Sequence, residues 1–488
     1  MTLQDQSDLL LNGRKPADGI SWISDNARTE RRAHLVGIAG AGMRSLAEVL
    51  LGWGWRLSGS DLAGDRTGPL TALGVRISTG HAAEHLPPET DLVVTSDAVP
   101  ADNPELQRAE QLGVPVLSYF QTLGRLMRGR HGLAVAGTHG KSTTTAMAAD
   151  LLVEAGLDPT VVFGAAPLGR HGGGRPGKGK MMLVEACEYR ANFLHLPARH
   201  AVISGIEPDH FDCFDSFDAL ERAFGEFADA VPADGLVLAR AGCRATARVT
   251  AGLRCRVETF GFEPTADWSA QCLGSRRGRY DFRFLRHGRP LTDVRLRVPG
   301  RHNVLNALGA AALAWHNGVG PDQIARSLGR FRGLARRMEA VGSWQGVVFL
   351  DDYAHHPTEV YATLRSVRQA YPGRRVWCVF QPHQASRTQR LLDEMAASLQ
   401  NADKLVVCEI FRARESPPAL GEVTASDLAD KARVLGGDVA DVHDDERVVR
   451  LLETSLRPGD VLITMGAGDI RKISNGLIQR FRENRAAG

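Results

Sequence analysis

The sequence predicts an α/β protein of three domains, each built on a mainly parallel sheet. Short apolar runs alternate with helix-length segments along nearly the whole chain, the pattern of parallel strands joined by crossover helices. Two strand-to-helix junctions carry glycine clusters, "GIAGAG" at 37–42 and "GTHGKS" at 137–142. The alternation resets twice, and 488 residues are ample for three cores.

Residues 1–33 are polar and without period, and are expected to form a loosely ordered extension. The first domain, 34–128, opens with "HLVGIAGAGMRSLAEVLLGWGWRLSGSD", which reads as strand, glycine turn, helix, strand and a closing acid. "DLVVTSDAV" and "VPVLSYF" continue the series to a helix near "TLGRLMRG", a Rossmann-like order. The central domain, 129–335, starts at the strand "HGLAVAG" and adds "KMMLVEACE" and "HAVISGIEPDH"; its order of strand, glycine loop and helix is P-loop ATPase-like. Within it, "HGGGRPGKGK" (171–180) is glycine-rich and basic and reads as a mobile loop. Around "FRGLARRMEAVG" the pattern resets into a third domain, 336–488, again Rossmann-like. There "GVVFLDDYAHHPTEVYATLRSV" is strand, turn and helix, with Pro357 at the helix start, and "RRVWCVFQPH", "DKLVVCEIF" and "DVLITMGAG" supply further strands.

Composition narrows the function. The net charge is only +3 and the basic residues are interspersed with acids, which argues against nucleic acid or an anionic membrane as partner. Seven cysteines contain no CxxC pair, which fits reduced thiols better than disulfides or a zinc knuckle. No apolar run approaches the roughly 20 residues of a membrane span. The N-terminus lacks the basic start and apolar core of a secretory signal. The expected location is the cytoplasm.

Lysine is scarce, seven among 59 basic residues, yet Lys141 stands between a glycine and a serine. A strand turning into a helix through glycines points backbone N–H groups and the positive helix end at one spot, which binds phosphate. In residues 137–143, Gly137, Thr138, His139 and Gly140 form the loop, Lys141 is placed to meet the β- and γ-phosphates of a triphosphate, and Ser142, followed by Thr143, to ligate Mg2+. Val135 stands where the usual pattern has its first glycine, so the loop is tighter. Glu185 ends the strand "MMLVEA" and His210 follows the strand "AVISGI". In a parallel sheet both reach the carboxyl edge beside Lys141, which makes them candidate metal ligands. The first-domain glycines, Gly37, Gly40 and Gly42, are spaced G-x-x-G-x-G, with Asp61 nineteen residues beyond Gly42. They point to a diphosphate on a helix end and a ribose or base near Asp61, without specifying NAD. An NAD-dependent oxidoreductase would leave the Lys141 loop idle.

Together "GIAGAGM…GSD", "GTHGKSTTT", "IEPDHFD", "PGRHNVLNALGA", "DDYAHHPTEV" and "FQPHQASRT" resemble the Mur ligase family, in family order from His34 onward. The resemblance is strongest to its alanine-adding branch; "GAGM" favours that branch over the murein-tripeptide recycling ligase. The resemblance implies ATP-dependent, Mg2+-assisted amide synthesis between L-alanine and the lactyl carboxylate of UDP-N-acetylmuramic acid, through an acyl phosphate. Such an enzyme belongs to peptidoglycan synthesis, and a monomer or weak homodimer is expected. Gly40, Ala41, Gly42, Met43, Asp61 and Ser96 resemble the UDP-sugar site. Ser142 and Glu185 resemble ligands of one Mg2+, and His210 of a second. Asn303 and Asn306 resemble adenine-side contacts, with His302 shaping them. Arg336 or Arg337, together with Asp351, resembles the groups that close the third domain over ATP. Tyr353, His355, His356, His383 and Arg387 resemble the amino-acid side, with His356 and Arg387 counted among the catalytic residues and Arg387 as counter-ion to the alanine carboxylate.

Some Mur ligases bridge their metals with a carbamylated lysine; this chain has no lysine between Lys180 and Lys404. It also departs from the family at Arg44, Cys187, Arg190, Gly205 and Gln384. A non-ligating, nucleotide-regulated binding protein is the alternative from another class, and intact Lys141, Glu185 and His210 argue against it.

Overall fold

Five strands, β1 (Arg32–Val36), β2 (Arg56–Asp61), β3 (Arg76–Thr79), β4 (Leu92–Thr95) and β5 (Val116–Ser118), form an all-parallel sheet in the order β3-β2-β1-β4-β5. The computed structural model describes residues 30–64, 67–413, 415 and 421–486, so the expected extension lies, up to residue 29, outside the described residues. β1 begins at Arg32, inside the range expected for that extension. Between β1 and β2, helix α1 (Ala41–Gly52) turns Met43, Leu46, Ala47, Val49 and Leu50 into the core, an i, i+3, i+4, i+7 stripe.

The central sheet has nine strands in the order β14-β13-β12-β11-β10-β9-β6-β8-β7. Its parallel part comprises β6 (His131–Ala136), β7 (Thr160–Val162), β8 (Met181–Glu185), β9 (His200–Ile203), β10 (Leu236–Arg240), β11 (Arg256–Gly261) and β12 (Trp268–Arg276). β13 (Arg279–Arg286) and β14 (Arg289–Arg295) then run antiparallel. Helix α4 (Lys141–Glu154) follows β6 and is buried on nearly all sides, between the sheet and α5 (Arg301–His316). The small residues of α5, Ala307, Gly309, Ala310, Ala311 and Ala312, let those helices approach closely. Helices α2 (Pro104–Gln111) and α3 (Tyr119–Met127) belong to the first domain.

The third sheet, β15-β16-β20-β17-β18-β19, is parallel except for the pair β15 (Glu339–Trp344) and β16 (Val347–Asp352). Its inner strands β17 (Val376–Phe380), β18 (Lys404–Val407) and β20 (Val461–Met465) read as unbroken apolar runs because helices cover both faces; β19 (Val439–Asp441) forms the edge. Helices α6 (Pro357–Ala370) and α7 (Ala385–Arg390) start at its carboxyl edge. No helix among the described residues is long and apolar enough to cross a membrane.

One expectation is corrected. The stretch 171–180 is a packed wedge between the first and central domains. Gly172, Gly173, Gly174 and Gly177 are buried. Gly173 N donates to Ser45 Oγ at 3.0 Å, Gly174 N to Glu48 Oε2 at 2.8 Å, and Arg175 pairs with Val161 across a β-bridge. A Cβ at Gly174 would strike Ser45 O, and one at Gly173 would strike Phe163 O. The glycines serve close approach, and the basic character concealed that. Arg44, unusual for the family position, donates to His171 O in the same contact.

Candidate active site

β6 ends at a loop whose two glycines are required by geometry. Gly137 (φ 124°) would drive a Cβ into Ser204, and Gly140 (φ 76°) into Asn306 Oδ1. Gly140 caps α4 without a side-chain hydrogen bond, so the first N–H groups of that helix face outward with the positive end of the dipole.

Lys141 Nζ donates to Gly137 O (2.6 Å), Thr138 O (3.1 Å) and Glu188 Oε1 (2.9 Å). Burial alone would lower the lysine pKa, but Glu188 and its acidic neighbours outweigh burial and hold it above the ordinary range. The Glu188 side chain is only 1% exposed; burial would raise its pKa, and Lys141 with His210 brings it below the usual carboxylate value. Its second oxygen is buried with no hydrogen-bond partner among the described residues. Ser142 Oγ donates to Glu185 Oε1 at 2.7 Å, and Gly164 N donates to the other Glu185 oxygen at 2.8 Å. His210 Nε2 lies 3.5 Å from Glu188 Oε1, and its backbone is left-handed (φ 55°), a strained conformation of the kind found at functional sites. Lys141, Ser142, Glu185 and His210 thus meet at the carboxyl edge of the adjacent strands β9, β6 and β8, where the strand order turns, and Glu188 links the lysine to the histidine. Sequence reasoning passed over Glu188; its signal was a second acid three residues after Glu185.

Asn306 Nδ2 donates to Asn303 Oδ1 (3.0 Å), and Asn306 Oδ1 packs over Gly140, so this pair braces the phosphate loop. His302 is half-buried, and desolvation with the nearby Arg337 charge lowers its pKa to about 4. In the first domain α1 again starts at an uncapped glycine, Gly40, after a turn in which Asp61 accepts from Ala39 N (2.8 Å) and Ala63 N (2.9 Å). Gly42 lies against the Tyr119 ring, and Ser96 against Gly37. The Met43 side chain points into the core, so only its backbone reaches the turn. Ala41 is exposed at the start of α1.

The third domain meets this edge through histidines. His355 and His356 diverge, as neighbours on a turn must. His355 packs on Tyr353 and His383, while His356 caps α6 and lies tilted against His139 of the phosphate loop, ring centres 4.7 Å apart. Burial lowers the pKa of His355 to about 4 and of His383 to about 2, so both are neutral. His139 differs. Burial would lower its pKa, but Glu207 and Glu359 outweigh burial and raise it to about 9.

Two expected site residues are held by partners within the protein. Arg387 is not a free counter-ion. Its Nε and Nη2 bind Asp209 Oδ1 at 2.9 and 2.8 Å, Nη1 donates to His383 O at 3.0 Å, and its side chain is 3% exposed. A substrate carboxylate would have to displace Asp209. Asp351 has no exposed surface; it accepts from Thr464 Oγ1 (2.8 Å), lies 3.4 Å from Arg336 Nε, and fixes the connection between the second and third domains instead of facing a nucleotide. Arg337 lies over the Tyr353 ring at 5.1 Å, on the cleft side of that connection. Asp209, Glu207 and Glu359, all at this seam, were also missed, although "IEPDH" and "HHPTE" contain them.

Three families of domains match in sequence order: the Mur ligase family catalytic domain at 32–131, the Mur ligase middle domain at 135–314, and the Mur ligase glutamate ligase domain at 336–468. The chain is 41% identical over 455 residues to a UDP-N-acetylmuramate–L-alanine ligase of Sorangium cellulosum, covering 92% of this chain and 96% of that one. It is 38% identical over 461 residues to the ligase of that name from Clostridium novyi, covering 94% and 99%. Among solved structures, the UDP-N-acetylmuramate-alanine ligase of Thermotoga maritima superposes with a TM-score of 0.78 at 27% identity, covering 93% of this chain and 99% of that chain. A murein peptide ligase of Psychrobacter arcticus gives 0.69 at 26% identity, covering 92% and 98%.

Proposed function

Because the chain belongs to the Mur ligase family, we propose that it joins L-alanine to the lactyl carboxylate of UDP-N-acetylmuramic acid, with ATP converted to ADP and phosphate, in peptidoglycan precursor synthesis. The observation that carries this reading is the meeting of Lys141, Ser142, Glu185, Glu188 and His210 at one sheet edge, beside the uncapped start of α4.

A carboxylate is a poor electrophile, and it repels the anionic phosphate it must attack. Its oxygen attacks the γ-phosphorus, the bond to ADP breaks, and an acyl phosphate results. The amine nitrogen then attacks the acyl carbon, the carbon–oxygen bond to phosphate breaks, and the nitrogen sheds a proton. Lys141 would exchange its loop carbonyls and Glu188 for the γ-phosphate and stabilise charge that grows there. The Ser142 hydroxyl and Glu185 carboxylate are hard oxygen donors that suit Mg2+, and the free oxygen of Glu188 with His210 suits a second ion. When bound, Mg2+ supplies charge neutralisation on the phosphates. The UDP-sugar is assigned to the first-domain turn at Gly40–Met43 with Asp61 and Ser96. The adenosine is assigned to the side of Asn303, Asn306 and Arg337. Alanine is assigned to Tyr353, His383 and Arg387, the last accepting the carboxylate by releasing Asp209.

Isotope transfer tests the chemistry. With 18O in the lactyl carboxylate, one label should appear in inorganic phosphate per amide formed. Unlabelled phosphate would exclude the acyl phosphate.

A further inference from the structure

We propose that His139, Glu207 and His356 form a binding site for a late first-row divalent cation, zinc above all, that ties the central domain to the third. Nothing in the ligation chemistry calls for it, and it is separate from Ser142 and Glu185.

The three donors come from three segments that meet only when the domains are docked. His139 sits in the phosphate loop, Glu207 in the loop after β9, and His356 at the start of α6. One ligand atom from each lies within 4.8 Å of the other two. His139 Nε2 is 3.3 Å from Glu207 Oε2, and His356 Nδ1 is 4.0 Å from the same oxygen. Ligands on a tetrahedral zinc, at about 2.0–2.2 Å from the metal, stand roughly 3.3 Å apart, so closing the donors, now within 4.8 Å of one another, by at most about 1.5 Å in any pair assembles the site.

The outward ring nitrogens strengthen the assignment. A metal-bound histidine nearly always donates its other N–H to a carboxylate or a backbone carbonyl, which fixes the tautomer and aims the lone pair. Both histidines have such an acceptor in place. His139 Nδ1 is 3.1 Å from Glu359 Oε1, and His356 Nε2 is 3.2 Å from Pro208 O. Two imidazoles and one carboxylate form a donor set that favours zinc over magnesium, which prefers a shell made mostly of oxygen.

Charge agrees. Glu207 and Glu359 flank the imidazoles and supply the negative charge that a dication needs, and Arg337 also faces Glu359. The two histidines are sheltered, with the His356 side chain 6% and that of His139 16% exposed, and Glu207 is 32% exposed. Binding would displace the 3.3 Å hydrogen bond from Thr358 N to His356 Nδ1 and leave a fourth position for water. A metal there would hold the phosphate loop against the third domain and slow turnover.

The test is a cobalt(II) titration of the chelator-treated full chain in excess magnesium, read by visible absorption. Cobalt in a tetrahedral site absorbs strongly, and in an octahedral oxygen site weakly. One equivalent should produce the strong bands in the wild type and in Ser142→Ala. His356→Asn keeps a good helix cap while removing the ligand; it and Glu207→Gln should each weaken binding by on the order of a hundredfold or more. Zinc should bleach the bands at one equivalent. Their absence from the wild type, or their survival at full affinity in both ligand variants, overturns the site.

Discussion

Lys141 and Glu188 hold opposite charges out of water 2.9 Å apart, and neither is cheap to bury alone. On the proposed function, a triphosphate that drew Lys141 away would leave Glu188 to a cation, and the pair would couple nucleotide and metal. Lys141→Ala should leave UDP-sugar affinity nearly unchanged and lower turnover on the order of a thousandfold or more, since the charge acts on the transition state. Calorimetry and steady-state rates would show it, and wild-type turnover in a folded variant would remove the assignment. His139 has a folded pKa of about 9, above its ordinary 6.5, so its stabilising ion pairs are fully present below about pH 6.5 and vanish as pH rises through 9. In chelated buffer, the stability gap between wild type and His139→Asn should therefore narrow from pH 7 to pH 10. A gap that is constant with pH would mean the ring is neutral throughout. The lysine was legible because its chemistry depends on a local glycine pattern. Glu188 and Asp209 were not, because their partners lie 47 and 178 residues away in sequence.

Elements explain why the first domain is fixed to the second. Ser45 and Glu48 of α1 take N–H groups of the glycine wedge, and Trp53 Nε1 donates to Gly177 O at 3.3 Å. Gly174→Ala forces a methyl against Ser45 O and should cost about 1–3 kcal/mol in denaturant unfolding. An unaffected midpoint would show that the wedge yields. The strand-loop-helix units around "GIAGAG" and "GTHGKS" were readable from glycines and apolar period. The wedge was misread because packing and mobility both use glycine. The antiparallel pair β13 and β14 left a local signal in "RYDFRFLR", where Phe282 and Phe284 alternate inward, and in turns with positive φ at Arg277–Gly278 and His287–Gly288.

At the scale of the whole molecule, three sheets present their carboxyl edges to a common region, and the third domain is held there by few contacts. The Arg387–Asp209 pair is the most buried among them. Removing one partner of a buried pair costs about 3–5 kcal/mol. Arg387→Ala should raise the radius of gyration in small-angle scattering and the alanine Michaelis constant together; an unchanged profile would show that the seam does not depend on the pair. The three-domain plan was legible because each sheet restarts the same local alternation, whereas the docking of one domain on another left no periodic trace. The claim that the molecule adds alanine to a UDP-linked sugar acid is tested most directly by phosphate release with ATP, magnesium and UDP-N-acetylmuramic acid across a panel of amino acids and the murein tripeptide. L-alanine should give the highest kcat/KM, with stoichiometric ADP and a product heavier by one alanine residue. Preference for the tripeptide, or phosphate release indifferent to any acceptor amine, would contradict it.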